Sequence, residues 1–188
     1  MAENVSVIKN GLCFELNGEV WTVVEFLHVK PGKGPAFVRT KIKSLKSGKT
    51  VDNTFNGSAK LDVVRIERRK FQYLYHDGDN FNFMDNETFE QIALDPKLLT
   101  NPKLLKEGEN VDVLYHADKG IPLLCEMPQY VILQVTQSDP GVKGDTATNV
   151  TKPATLETGA EVKVPLFINE GDKVKINTAT NEYMERIK

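Results

Sequence analysis

Cysteine is scarce in this chain. Cys13 and Cys125 are the only two among 188 residues, and neither sits in a CxxC or Cys/His spacing. That excludes a disulfide scaffold and the common zinc modules, and it fits a reduced, cytoplasmic protein with two ordinary core thiols. Histidine is nearly as rare. His28, His76 and His116 lie in separate segments with no metal-ligand spacing or nucleophile motif around them, so neither a catalytic group nor a metal site is expected. No apolar run approaches the ~20 residues that a membrane span needs. The start, Met1-Ala2-Glu3-Asn4, is neither basic nor apolar, so no signal peptide is expected. Triplets such as Asn86-Glu87-Thr88 then carry no glycosylation meaning.

What is present is an uneven distribution of charge. The whole chain carries −2, with 27% charged and 40% hydrophobic residues. Residues 1–65 hold ten basic against six acidic side chains, residues 66–127 seven against twelve, and residues 128–188 seven against eight. Lys30 to Lys49 contains seven basic residues and no acid. One region is therefore suited to a polyanion while the remainder keeps the protein soluble.

Strand signals dominate. Val20-Trp21-Thr22-Val23-Val24-Glu25-Phe26 is β-branched and aromatic, and Asn17-Gly18 ahead of it reads as a tight hairpin turn. From Ala36 to Leu45 the pattern alternates. Val38, Thr40 and Ile42 share one face, and Arg39, Lys41 and Lys43 share the other. This basic stripe fits a phosphate-binding surface, and equally the solvated outside of a small barrel. Ser47-Gly48-Lys49 turns the chain into a further strand. Phe71 to Tyr75, Asp77-Gly78 and Phe81 to Phe83 predict a hairpin with aromatics at alternate positions. A short helix is expected near residues 87–92, capped by Asp85 or Asn86. Asp95-Pro96 and Asn101-Pro102 predict two brief helical turns.

Gly108-Glu109-Asn110-Val111-Asp112-Val113 and Gly159-Ala160-Glu161-Val162-Lys163-Val164 echo one another 51 residues apart. Too few copies exist for a solenoid. Two related β-barrels of roughly 60 residues each are the expectation, with boundaries near Arg65 and Pro128. Domains that small are marginal alone and should pack together.

Two motifs fail on inspection. Ser47-Gly48-Lys49-Thr50 resembles the end of a phosphate-binding P-loop, but position 43 is lysine where the earlier glycine belongs. Lys33 to Thr40 fits an RNA-binding octamer except that Pro35 and Thr40 occupy aromatic positions. The stretch itself, Lys30-Pro31-Gly32-Lys33-Gly34-Pro35-Ala36-Phe37, sets Lys33 between two glycines and two prolines. Its turn chemistry alone fits a solvated hairpin lysine or a projecting basic probe. A lysine nucleophile requires burial or a neighbouring cation, which an exposed turn does not supply. No enzyme activity is expected, and a general binder of single-stranded nucleic acid is the alternative reading.

Lys30 to Arg39 resembles the first-domain loop of the bacterial elongation factor P family. Lys152-Pro153-Ala154, Gly159, Val162, Val164-Pro165, Ile168 and Gly171 fall at that family's signature spacing. Asp139 to Ala147 and the ending Tyr183-Met184-Glu185-Arg186 are similar too, so the likeness spans the chain. It implies an all-β fold: an SH3-like (KOW-like) barrel over residues 1–65, then OB-fold barrels over residues 66–127 and 128–188, in an elongated tRNA-like arrangement.

The resemblance further implies a cytoplasmic, monomeric, cofactor-free factor that touches no membrane. It would bind both ribosomal subunits between the peptidyl-tRNA and exit sites and relieve stalling at consecutive prolines. Lys33 matches the loop tip that approaches the CCA end of peptidyl-tRNA, a position some relatives extend through a lysine-modifying enzyme. Pro31, Gly32, Gly34 and Pro35 would shape that loop. Lys30, Arg39, Lys41 and Lys43 are the candidates for phosphate contact on the residues themselves. Gly144, Asp145 and Thr146 match a loop facing the small subunit, and Tyr183 and Arg186 match functional C-terminal positions. Pro35 departs from members that carry a polar residue there. A stiffer loop loses less entropy on docking, so Lys33 is expected to work unmodified.

Overall fold

The computed structural model describes residues 2–138 and 150–187. Strands make up most of it, and no α-helix occurs among the described residues. Strands β1 (Ala2–Asn4), β2 (Cys13–Leu16), β3 (Glu19–Val29), β4 (Phe37–Ser44), β5 (Thr50–Asn56) and β6 (Lys60–Val63) form a sheet of order β1-β6-β2-β3-β4-β5. Next come β7 (Ile66–His76), β8 (Phe81–Asp85), β9 (Gln91–Leu94), β10 (Asn110–His116) and β11 (Ile121–Glu126), ordered β11-β10-β7-β8-β9. The last sheet holds β12 (Tyr130–Ser138), β13 (Thr151–Leu156), β14 (Glu161–Pro165), β15 (Lys173–Asn177) and β16 (Glu182–Ile187), ordered β14-β13-β12-β15-β16. The second and third sheets share a plan in which the long first strand is central.

Packing divides the chain into two compact units. One comprises Met1–Arg69 with Val113–Leu124, the other Lys70–Asp112 with Cys125–Lys188. This division passes through β7, β10 and β11.

In the first unit, Asn17 (φ 53°) and Gly18 (φ 78°) both lie in the left-handed region. That is the geometry a two-residue hairpin needs to match strand twist, and β2 and β3 pair on either side of it. Along β4 the expected alternation holds. Val38, Thr40, Ile42 and Ser44 are buried while Arg39 and Lys43 are exposed. Val38 and Ile42 join Phe14, Val23 and Phe55 in one core, where the Phe14 and Phe55 rings meet edge-on with centroids 5.6 Å apart.

The second unit contains the core of the third sheet. Val131, Leu133 and Val135 of β12 point into it, against Val162 and Val164 of β14 and Val174 and Ile176 of β15. Asp95 accepts a hydrogen bond from the Lys97 amide at 2.8 Å and starts the 3₁₀ turn Pro96–Leu98. A matching turn spans Pro102–Leu104.

Two expectations need correction. Asp85 Oδ1 does cap the chain, accepting from the amides of Glu87 (2.7 Å) and Thr88 (3.1 Å), but no helix follows. Phe89 turns to φ 60° and β9 begins at Gln91, so the Asx turn closes a hairpin. The expected aromatic hairpin forms from β7 and β8, with Phe71 and Tyr73 buried. The β7–β8 register shifts between Tyr73 and Tyr75, and that bulge leaves Tyr75 exposed.

The internal repeat is real in kind and misplaced in register. Gly108 enters β10 and exchanges backbone hydrogen bonds with β7: Gly108 N–H donates to Tyr73 O and Tyr73 N–H to Glu109 O, both at 2.8 Å. Gly171 enters β15 and repeats the pair with Val135 and Asp172, both at 2.9 Å. The side-chain amide of Gln72 donates to Gly108 O at 3.2 Å, and that of Gln134 to Gly171 O at 3.4 Å. Even the bulge recurs, between Val135 and Gln137. The structural counterpart of Gly108 is therefore Gly171. Gly159 leads into β14, which lies at the opposite side of its sheet. Any glycine turn feeding an alternating strand gives the same letters, which is why the spacing of 51 misled.

Candidate functional site

Lys33 stands at the tip of the hairpin between β3 and β4. The last strand pair is Val29 with Phe37, and every residue from Lys30 to Ala36 is exposed. Pro31, Gly32, Gly34 and Pro35 surround the lysine as the sequence reading anticipated, but their tasks differ. Gly34 has φ 112°, a region L side chains rarely adopt, and the Pro31 Cγ lies 3.9 Å from where its Cβ would be. The demand for glycine falls there. Gly32 lies outside the left-handed region and faces open space. Among the described residues no hydrogen bond or ion pair engages the Lys33 ammonium.

Below the loop, strand register arranges the basic stripe in three rows across the outer face of β3, β4 and β5. Arg39 lies between Leu27 and Thr54, Lys41 between Glu25 and Asp52, and Lys43 between Thr22 and Thr50. The rows are electrostatically unlike. Lys41 Nζ is 3.2 Å from Glu25 Oε2, while the Arg39 and Lys43 rows contain no acid. The Arg39 guanidinium lies over the Phe37 ring, 5.5 Å from its centroid. Lys30 is exposed at the loop root. An open groove of about 480 Å³ runs over this face, lined by Glu25, Phe26, Leu27, Arg39 and Lys41 among others.

Sequence reasoning missed the exposed apolar side chains Val24, Phe26 and Leu27. They arise because β3 continues past a bulge between Val23 and Glu25 and extends beyond the core it serves. His28 meets Phe26 edge-on there, centroids 5.5 Å apart. Nothing in the local pattern marks that overhang, since only the strand's full length shows it.

The C-terminal candidates divide. Gly144, Asp145 and Thr146 lie outside the described residues. Tyr183, on β16, is half-buried against the third-sheet core, and burial pushes its phenol above the usual range. Arg186 Nη1 lies 3.6 Å from Asp172 Oδ2, with its guanidinium 5.8 Å from the Phe167 ring centroid. Both side chains thus already have structural partners. Tyr183 also lines an open groove with Glu161, Lys163 and Glu182.

No group of three or more His, Cys, Asp or Glu side chains is placed to hold a metal among the described residues. Cys13 and Cys125 are free thiols. Burial pushes Cys13 up and Cys125 up to about 12, the nearby Asp112 and Glu126 adding to the latter. No helix among the described residues is long and apolar enough to cross a membrane.

Comparison with known proteins covers nearly the whole chain. Residues 4–61 match the family description "Elongation factor P (EF-P) KOW-like domain". Residues 66–123 match "Elongation factor P (EF-P) OB domain", and residues 131–186 match "Elongation factor P, C-terminal". The elongation factor P of Flavobacterium johnsoniae is 60% identical over 185 residues, 98% of each chain. That of Flavobacterium psychrophilum is 59% identical over 185 residues, 98% of this chain and 99% of its own. Among solved structures, a translation initiation factor eIF-5A family protein from Naegleria fowleri shares the fold at 16% identity. Its TM-score is 0.50, over 68% of this chain and 95% of that one. The all-β expectation of a KOW-like barrel followed by two OB domains agrees with these matches and with the three sheets.

Proposed function

The chain belongs to the elongation factor P family of translation factors, and on that premise we propose that it acts at the ribosome through Lys33. It binds between the peptidyl-tRNA and exit sites, contacting both subunits and the peptidyl-tRNA, and stimulates peptide-bond formation at consecutive prolines. The observation that carries this reading is the position of Lys33: fully presented at the tip of a hairpin, next to Gly34 at φ 112°, above a stripe of cations.

Chemistry is left to the ribosome. Proline is a secondary amine with a fixed φ, so it and a peptidyl-proline align poorly for attack. Holding reacting groups in near-attack geometry is worth up to about 7–11 kcal/mol in ideal cases. A lysine that orders the CCA end of the tRNA lowers the barrier by that route, with no cofactor and no covalent step of its own. Arg39 and Lys43, whose rows lack acids, supply phosphate contacts. The factor works as a cytoplasmic monomer, with functional domains at residues 1–65, 66–127 and 128–188.

Lys33 works bare in this reading, because Pro31 and Pro35 each fix one backbone angle and lessen the entropy lost on docking. Intact mass of the protein from its native host tests that, and an adduct mapped to Lys33 refutes it. The central test is reconstituted translation of a message encoding consecutive prolines. Wild type relieves the stall and Lys33→Ala does not; a stall unaffected by wild type overturns the proposal.

A further inference from the structure

The loop that carries Lys33 has almost nothing of its own to hold it. Among the described residues no backbone hydrogen bond closes Lys30 to Pro35 on itself. Its placement therefore depends on its two roots. One is the last strand pair, Val29 with Phe37. The other is less expected. Gly57, just past the end of β5, donates its N–H to the carbonyl of Ala36 at 2.8 Å, which extends the β4–β5 ladder one step into the loop.

Glycine is required at that point for space. Gly57 is not in the left-handed region, so conformation does not call for it. A Cβ built on it would lie 2.7 Å from the Ala36 oxygen and 3.3 Å from the Ala36 carbonyl carbon. Both obstacles are main-chain atoms, so no side-chain rotation relieves them. The missing side chain and the hydrogen bond are thus one device, because the carbonyl approaches through the volume a Cβ would fill. The same turn is braced by Ala59 N–H to Asn56 O at 2.9 Å and by Val5 N–H to Ala59 O at 3.3 Å. Yielding therefore falls to the Ala36 side, which is the unbraced loop.

We infer that Gly57 is a positioning residue for Lys33, setting the height and direction in which the loop leaves the barrel. Its functional half rests on the proposed role of Lys33, and its structural half does not. Gly57→Ala forces Ala36 outward and swings the tip, leaving the ammonium in place chemically and misplaced geometrically. Misplacement near 1 Å can cost about a hundredfold in a positioning-dependent reaction.

The test uses the full-length protein, with exposed Ser58→Ala as the neighbouring control. In Gly57→Ala the residue-57 amide should exchange with solvent at least about tenfold faster, as a lost hydrogen bond implies. The amide resonances of Gly32, Lys33 and Gly34 should shift while those of β2 and β6 stay. Relief of the consecutive-proline stall should drop about tenfold or more, with ribosome binding close to wild type. Unchanged exchange and unchanged loop resonances overturn the inference, and so does a displaced loop with full relief. If Lys33→Ala also leaves relief intact, the functional reading of Lys33 fails, and exchange and resonances still decide whether Gly57 sets the loop. Should Gly57→Ala not fold, the wild type decides alone: a Gly57 amide exchanging as fast as that of Lys33 rules the clasp out.

Discussion

Lys41 and Glu25 are paired across β4 and β3, Nζ to Oε2 at 3.2 Å, with Asp52 opposite Lys41 on its other side. The middle of the basic stripe is thereby neutralised. An exposed pair of this kind adds little to stability, but it withdraws one cation from contact with a phosphate. Arg39→Ala and Lys43→Ala should each reduce the slope of log affinity against log salt for ribosomes by about 1. Lys41→Ala should leave that slope nearly unchanged. Glu25→Gln should tighten binding at low salt and make Lys41→Ala costly in its background, a coupling that a double-mutant cycle reads directly.

The two loop glycines should not behave alike. Gly34→Ala places a side chain at φ 112° and carries a strain of about 1–3 kcal/mol. The loop is exposed, so the strain should appear as displaced Lys33 resonances and lost stall relief, with little change in melting temperature. Gly32→Ala meets no neighbour and no positive φ. Its effect on stall relief should be the smaller of the two.

The clasp around Gly171 offers a stability test in the second unit. Gly171 has φ 88°, so Gly171→Ala should destabilise by about 1–3 kcal/mol in urea titration. Gln134→Ala should cost about 0.5 kcal/mol, the low end for an exposed hydrogen bond. In the first unit, Phe14→Ala removes a fully buried ring that meets Phe55 edge-on. About 3–5 kcal/mol is the expected loss.

Cys125 gives a pH signature. Burial raises its thiol to about 12 in the folded protein, against about 8.5 in the unfolded chain. The unfolded state releases that proton first. The thiol's contribution is therefore fully present below about pH 8.5 and is lost as pH rises toward 12. Stability of the wild type should fall across that window more steeply than that of Cys125→Ala, measured by denaturation at fixed pH steps. Thiol reagents at pH 8 should label Cys125 only on unfolding.

Local pattern revealed much of this molecule. Period-two alternation placed Val38, Thr40 and Ile42 inside and Arg39 and Lys43 outside, because one strand's faces depend on neighbouring residues alone. Asn17-Gly18 announced its hairpin for the same reason. What stayed hidden needed partners distant in sequence. The ion pair of Lys41 depends on a register 16 residues away, and the clash at Gly57 depends on where Ala36 lies across the ladder. Asp85 supplied a true cap, yet the chain beyond it was taken up by β9 pairing. Gly159 resembled Gly108 in its letters, and only strand order identified Gly171 as the equivalent.

Gln72 with Gly108 and Gln134 with Gly171 place the same side-chain bond at the same step of two sheets, beside the same bulge. Two stretches of unlike sequence thus reach the same step with one backbone device. Their charge is not held in common: residues 66–127 carry seven basic against twelve acidic side chains, and residues 128–188 seven against eight. The shared step is what each sheet needs in order to form, and the charge is what its surface is free to vary.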